Sequence, residues 1–179
     1  RYEYILPNIN LSKKLTNNTK LEGDYYLHSK FNNKNYNTNI NETTNTNDLI
    51  FKSNPNISKI GLYNNYELLV RNTNSNSDNS LNYSNNPETY LSGILQYNSS
   101  LPMINENDLS QKILKPKISL KIAPENSKKD SGESRYDVSN IYSLNRGVRN
   151  DSIEGGISTV IGNEYSIYDK KNLEKYLTM

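Results

Sequence analysis

Between Ile153 and Asp169 apolar and polar residues alternate. Ile153, Gly155, Ile157, Thr159, Ile161, Tyr165 and Ile167 fall on one parity, and Glu154, Gly156, Ser158, Gly162, Glu164 and Ser166 on the other, with Val160 as the aliphatic exception. Successive side chains of a strand point to opposite faces, so a period of two predicts a strand with one greasy and one wet face. The run extends well past the roughly five or six residues usual in globular strands. Long strands with one apolar face are what a transmembrane β-barrel requires, because lipid satisfies no backbone polar group.

The same period divides the chain into about eight strands. Tyr2–Lys13 carries Ile5, Pro7, Ile9 and Leu11 on one face, and Pro7, which has no amide donor, predicts a bulge or irregularity. After a short turn at residues 16–19, Lys20–Phe31 sets Leu21, Gly23, Tyr25, Leu27 and Phe31 against Glu22, Asp24, His28 and Lys30. The Asn/Thr-rich stretch 32–47 reads as a connection with room for strand extensions around Tyr36, Thr38 and Ile40. Strands follow at Asp48–Ser53 and Ile60–Arg71, separated by the turn signal Asn54-Pro55-Asn56. A polar loop spans 72–88, and the fifth strand covers Thr89–Leu101. The sixth, Leu114–Ala123, opposes Leu114, Pro116, Ile118, Leu120 and Ile122 to Lys115, Lys117, Ser119 and Lys121. A seventh is expected near Asp137–Asn145, and a tight connection at 146–152 opens the eighth. Short and long connections roughly alternate, as in outer-membrane barrels, although 102–113 is longer than that rule wants.

Composition changes the picture in one respect. Only 33% of residues are hydrophobic, the mean hydropathy is −0.88, and Asn alone supplies 32 residues. A conventional soluble core is hard to build from this, and an Asn-rich disordered segment becomes a rival. The 15 tyrosines and the ordered alternation argue against disorder. Low average hydropathy also suits a barrel, where only alternate strand residues face lipid. No run is long and apolar enough for a transmembrane helix. Cysteine is absent, which removes thiol chemistry, and a net charge of +2 gives no argument for nucleic acid. The Asn-rich patches read as compositional. The chain opens on Arg1 and is expected to be an internal piece of a longer protein, forming a single partial barrel domain over residues 1–179.

Several blocks carry a resemblance. They are Arg1-Tyr2-Glu3-Tyr4, Gly61–Tyr66 running on to Arg71–Asn74, Ser100-Leu101-Pro102-Met103, Leu114–Leu120 ending at Ala123-Pro124, Asn140–Arg146, and Asp151 followed by Ile153-Glu154-Gly155-Gly156. In order and spacing they resemble the barrel domain of the LptD (OstA-type) family, outer-membrane proteins that assemble lipopolysaccharide at the cell surface. The chain departs from that pattern at Arg149 and Ser152, where the family tends to place Gly and Arg. The resemblance implies a barrel of roughly 26 strands, an LptE-type lipoprotein plug, a periplasmic LptA-type bridge and a lateral gate between the first and last strands. This segment would be mid-barrel wall, without the gate seam.

Lys115, Lys117 and Lys121 form a basic row that reads either as a lumen surface meeting lipopolysaccharide phosphates or as a solvated face with counter-charges nearby. Arg146, Asp151 and Glu154 read as ion pairs bracing a turn, with substrate guidance as the alternative. The glycines after Asp151 lack phosphate-loop spacing. His28, the sole histidine, has no ligand set for a metal and no triad partners. The tyrosines, among them Tyr2, Tyr4, Tyr25, Tyr26, Tyr63, Tyr66, Tyr90, Tyr97, Tyr165 and Tyr168, suit an interfacial girdle better than base stacking, since no strongly basic groove accompanies them. Ile118, Leu120, Ile122, Ile157 and Ile161 are the expected lipid-facing residues.

The expected fold is therefore all-β: an antiparallel up-and-down sheet of about eight strands, an arc of a large transmembrane barrel in the outer membrane. It is expected to be no enzyme and to need no cofactor. Its expected partners are lipopolysaccharide, membrane lipid and, by resemblance, the LptE-type plug and LptA-type bridge, with no nucleic acid. The rivals are another outer-membrane porin or receptor barrel, an Asn-rich β-sandwich adhesion module, and disorder.

Overall fold

The computed structural model describes residues 3–17, 19–124, 136–146, 153–170 and 175–178. Ten strands run in chain order: β1 (Glu3–Leu15), β2 (Gly23–Tyr36), β3 (Ile40–Ser53), β4 (Asn56–Ile57), β5 (Tyr63–Asp78), β6 (Glu88–Ser100), β7 (Met103–Glu106), β8 (Ser110–Ala123), β9 (Gly156–Asp169) and β10 (Lys175–Thr178). All belong to one antiparallel sheet ordered β1-β2-β3-β5-β6-β8-β9-β10, each strand beside its predecessor along that path. The described residues contain no helix. The sheet is open, with β1 and β10 at its edges.

β4 and β7 are continuations of their predecessors. β4 pairs with β5 beyond the end of the β3–β5 ladder, and β7 pairs with β8 beyond the end of the β6–β8 ladder. Each break holds a proline, Pro55 and Pro102, which cannot donate to a ladder. Across the second break, Leu101 N donates to Pro116 O at 3.1 Å. The connection that looked too long at 102–113 is thus strand plus a turn, in which Asn107 Oδ1 accepts from the Ser110 amide at 2.7 Å. Pro7 has the expected effect, since the β1–β2 register shifts between Ile5 and Asn8.

Three expectations change. The stretch 32–47 is unbroken ladder but for a three-residue turn, with every pair from Gly23↔Ser53 to Tyr36↔Ile40 in register. Asn39 closes that turn at φ 60, a left-handed conformation that asparagine tolerates. Residues 72–78, read as loop, extend β5 to Asn41↔Asp78. The seventh strand, 137–145, is absent. There Asp137 Oδ1 accepts from the Ser139 and Asn140 amides at 2.7 and 3.1 Å, and Ile141 N closes on Asp137 O at 3.0 Å. These local side-chain bonds offer the backbone a turn in place of a ladder.

Directly paired residues share a face. Lys121 pairs with Gln96 on one side and Ser158 on the other, Gln96 with Glu67, and Glu67 with Lys52. This face is covered by residues 136–146 and 153–155, hereafter the strap, and by the 79–87 connection. Here lie the core residues Leu69, Ile94, Ala123 and Ile153, with Ile50 and Leu144 packed against them. Over the opposite face lies none of the described residues.

Candidate functional site

On the covered face the strap is held by one polar network. Arg146 donates from Nε to Glu154 Oε2 at 2.7 Å and from Nη2 to Glu154 Oε1 at 2.6 Å, a forked pair. Lys121 Nζ reaches Glu154 Oε2 at 2.6 Å, and Arg146 Nη2 also donates to Ser158 Oγ at 2.8 Å. The Lys121 and Arg146 side chains are 5% and 6% exposed, so this network is buried. Burial pushes the Glu154 carboxyl up, but the hydrogen bonds from Arg146 and Lys121 outweigh it and hold the group below the usual carboxylate range. Tyr136 Oη donates to Glu154 Oε1 at 3.2 Å, and its ring lies 5.0 Å from the Arg146 guanidinium.

The three lysines of β8 meet different fates. Lys121 is spent on Glu154. Lys117 pairs with Glu164 and stands 5.5 Å from the Tyr142 ring. Lys115 carries no ion pair among the described residues, and it lines two adjoining clefts with Tyr63 and Ser100. The turn trio is brought together in part: Arg146 and Glu154 bond, while Asp151, like the departures at Arg149 and Ser152, lies outside the described residues. His28 stacks on Tyr26 at 6.5 Å between centroids, and the described residues hold no cluster of metal-ligating side chains.

Sequence reading missed three anchors. Gln96, 1% exposed, places Nε2 at 2.9 Å from Asn98 Oδ1, Ser119 Oγ and Tyr142 O, pinning the strap to the sheet. Arg71 makes a forked pair with Asp48 at 2.6 Å for both bonds, also buried. Glu42 receives Ser80 Oγ at 2.5 Å and Asn82 Nδ2 at 3.1 Å, drawing the 79–87 connection onto the sheet. Nothing local in the sequence pointed to their partners.

The open face carries Ile118, Leu120, Ile122, Ile157 and Ile161, with Ile157 and Ile161 about four-fifths exposed at 80% and 78%. They belong to an apolar band that crosses the sheet through Leu95, Leu68, Leu49 and Leu27. Two aromatic pairs stand on this face, Tyr25–Phe51 with centroids 4.8 Å apart and Tyr66–Tyr97 at 5.2 Å. By register Tyr26, Tyr63, Tyr90 and Tyr168 lie on the covered face, so those four do not join them.

The band slants. On β5 its apolar residues are Tyr66, Leu68 and Val70, and the middle one, Leu68, meets β6 at Leu95. On β8 and β9 the middle is Ile118–Ile161, a row that meets β6 at Ser99, four residues farther along (95 to 99). A plane cuts hydrogen-bonded rows obliquely in this way when strands are tilted and staggered, as in a barrel.

No protein-family model matches this chain, and no curated protein matches it significantly.

Proposed function

We propose that this chain is wall of a large outer-membrane β-barrel that delivers lipopolysaccharide to the cell surface. The slanted apolar band on a face that no described residue covers, backed by a polar face on which Lys117 and Lys121 are paired, carries this reading. Alternating residues partition the wall: Ile118, Leu120, Ile122, Ile157 and Ile161 meet lipid, while the lysine face borders a conduit. The band supports a barrel wall, and the order and spacing of the sequence blocks that resemble LptD favour lipopolysaccharide as the cargo. By the same resemblance an LptE-type plug and an LptA-type bridge are its partners.

Within the conduit Lys115 is the residue to meet cargo phosphate, since Lys117 and Lys121 are already neutralised. The strap narrows the space in front of it. Depleting the parent protein from cells should stop newly made lipopolysaccharide from reaching the surface and raise sensitivity to large antibiotics. Normal delivery after depletion would overturn the proposal. Lys115→Glu at equal barrel abundance should weaken the same barrier, whereas Lys115→Gln should do so less.

A further inference from the structure

Above the apolar band the open face becomes a grid of amides. Asn33 and Asn35 on β2 and Asn41, Asn45 and Asn47 on β3 share it. Asn72, Asn74 and Asn76 extend it on β5, and Thr89 on β6. A compositional bias would scatter asparagine over both faces. At these levels the covered face of the same strands holds only Asn32, and it takes Lys30, Lys34, Glu42 and Glu88. Asparagine and most of the charge are therefore sorted by face; Asp78, opposite Asn41, is the charged exception, and the open face has no Lys or Arg here. The amides are held in a net: Asn47 Nδ2 donates to Asn72 Oδ1 at 3.4 Å, Asn74 Nδ2 to the same oxygen at 2.7 Å, and Thr89 Oγ1 to Asn74 Oδ1 at 2.8 Å. Each side-chain amide has two donor hydrogens and two acceptor lone pairs, so capacity remains for a partner.

We propose that this grid docks the saccharide headgroups of glycolipid. The inference rests on the open face being the lipid face. The grid continues that face directly: Leu27, Leu49 and Val70 form one row, and Ser29, Asn47 and Asn72 the next. Whatever surrounds the grid is then the headgroup layer. It lies at the strand ends joined by the longest connection, 124–155, which in outer-membrane barrels marks the extracellular side. Bare phosphate headgroups call for lysine or arginine. Neutral amides at strand spacing suit hydroxyl-rich sugars, to which they donate and from which they accept.

The test uses the full-length parent protein in vesicles of phospholipid alone, or of phospholipid with lipopolysaccharide bearing its core sugars. A photoreactive side chain is placed in turn at positions 74, 75 and 120. Position 120 should capture acyl chains in both vesicles. Position 74 should capture glycolipid only when lipopolysaccharide is present, and position 75, on the covered face, should capture none. No lipid adduct at 120 would overturn the lipid-face reading itself. Acyl adducts at 120 with none to glycolipid at 74 would overturn the docking surface alone, as would adducts from 74 to a second copy of the protein. Replacing Asn45→Ala and Asn47→Ala together should cause loss of the adduct at 74. Its full retention would show mere proximity and sink the proposal.

Discussion

Arg146 and Glu154 close the strap on itself with two parallel hydrogen bonds, at 2.7 and 2.6 Å, directly over the buried ammonium of Lys121. Three charges share one pocket, two positive and one negative. Glu154 is the hinge of that arrangement, because both cations share its one carboxylate.

Glu154→Ala should therefore be the most damaging single change in the strap. It leaves Arg146 and Lys121 buried without their carboxylate, a loss of about 3–5 kcal/mol. The thermal unfolding transition of the protein should move to clearly lower temperature. An unchanged transition would mean the strap is not held by this pair.

Acid should release the same contact. The folded-state value of Glu154 is depressed, so its stabilisation is complete above its unfolded value, about 4.3, and is lost as pH falls through the lower folded value. A fluorophore beside Leu144 should report strap release below about pH 4.3. Glu154→Gln should be weaker at neutral pH and should lack the acid step; an identical acid profile in that variant would refute the assignment.

Leu120→Lys tests the open face. If that face meets lipid, an ammonium near the midplane should cost about 2–4 kcal/mol and cut the yield of folded parent barrel. Ser119→Lys, one residue away on the covered face, should be rescued or harmed by local packing without dependence on bilayer thickness. Equal thickness dependence for both would contradict the partition.

Gly162→Ala tests the seating of Tyr142. A Cβ at Gly162 would run into the Tyr142 hydroxyl, although the ring carbon behind it stays at an ordinary 3.5 Å. The substitution should cost about 1–3 kcal/mol through overpacking. Tyr142→Phe, which removes the hydroxyl, should recover most of it. Additive losses in the double variant would show that the two do not touch.

Much of the sheet was legible because its cause is local. The alternation in Leu114–Ala123 and Gly156–Asp169 sorts side chains to faces whatever the strands pair with. Pro7 announced its register shift for the same reason. The polar strand extensions were less legible. Residues 41–47 and 72–78 show no alternation between apolar and polar, yet they pair in register from Asn41↔Asp78 to Asn47↔Asn72, and asparagine is poor in strand propensity. Neighbouring strands already aligned by the apolar band supply the register that these residues lack. At 137–145 the apolar residues Val138, Ile141 and Leu144 fall three apart and not two, and Asp137 and Asn140 make a turn.

The sequence by itself determined the alternating strands such as Leu114–Ala123 and Gly156–Asp169, their faces and the common face of Lys115, Lys117 and Lys121, since a period of two is a property of the extended backbone. Tertiary structure alone decided which of those lysines is left uncommitted and what covers their face. Lys121 and Glu154 lie 33 positions apart, and Gln96 meets the Tyr142 carbonyl across 46. No local pattern encodes such contacts, because they form only when strands far apart in the chain bring one polar face beneath the strap.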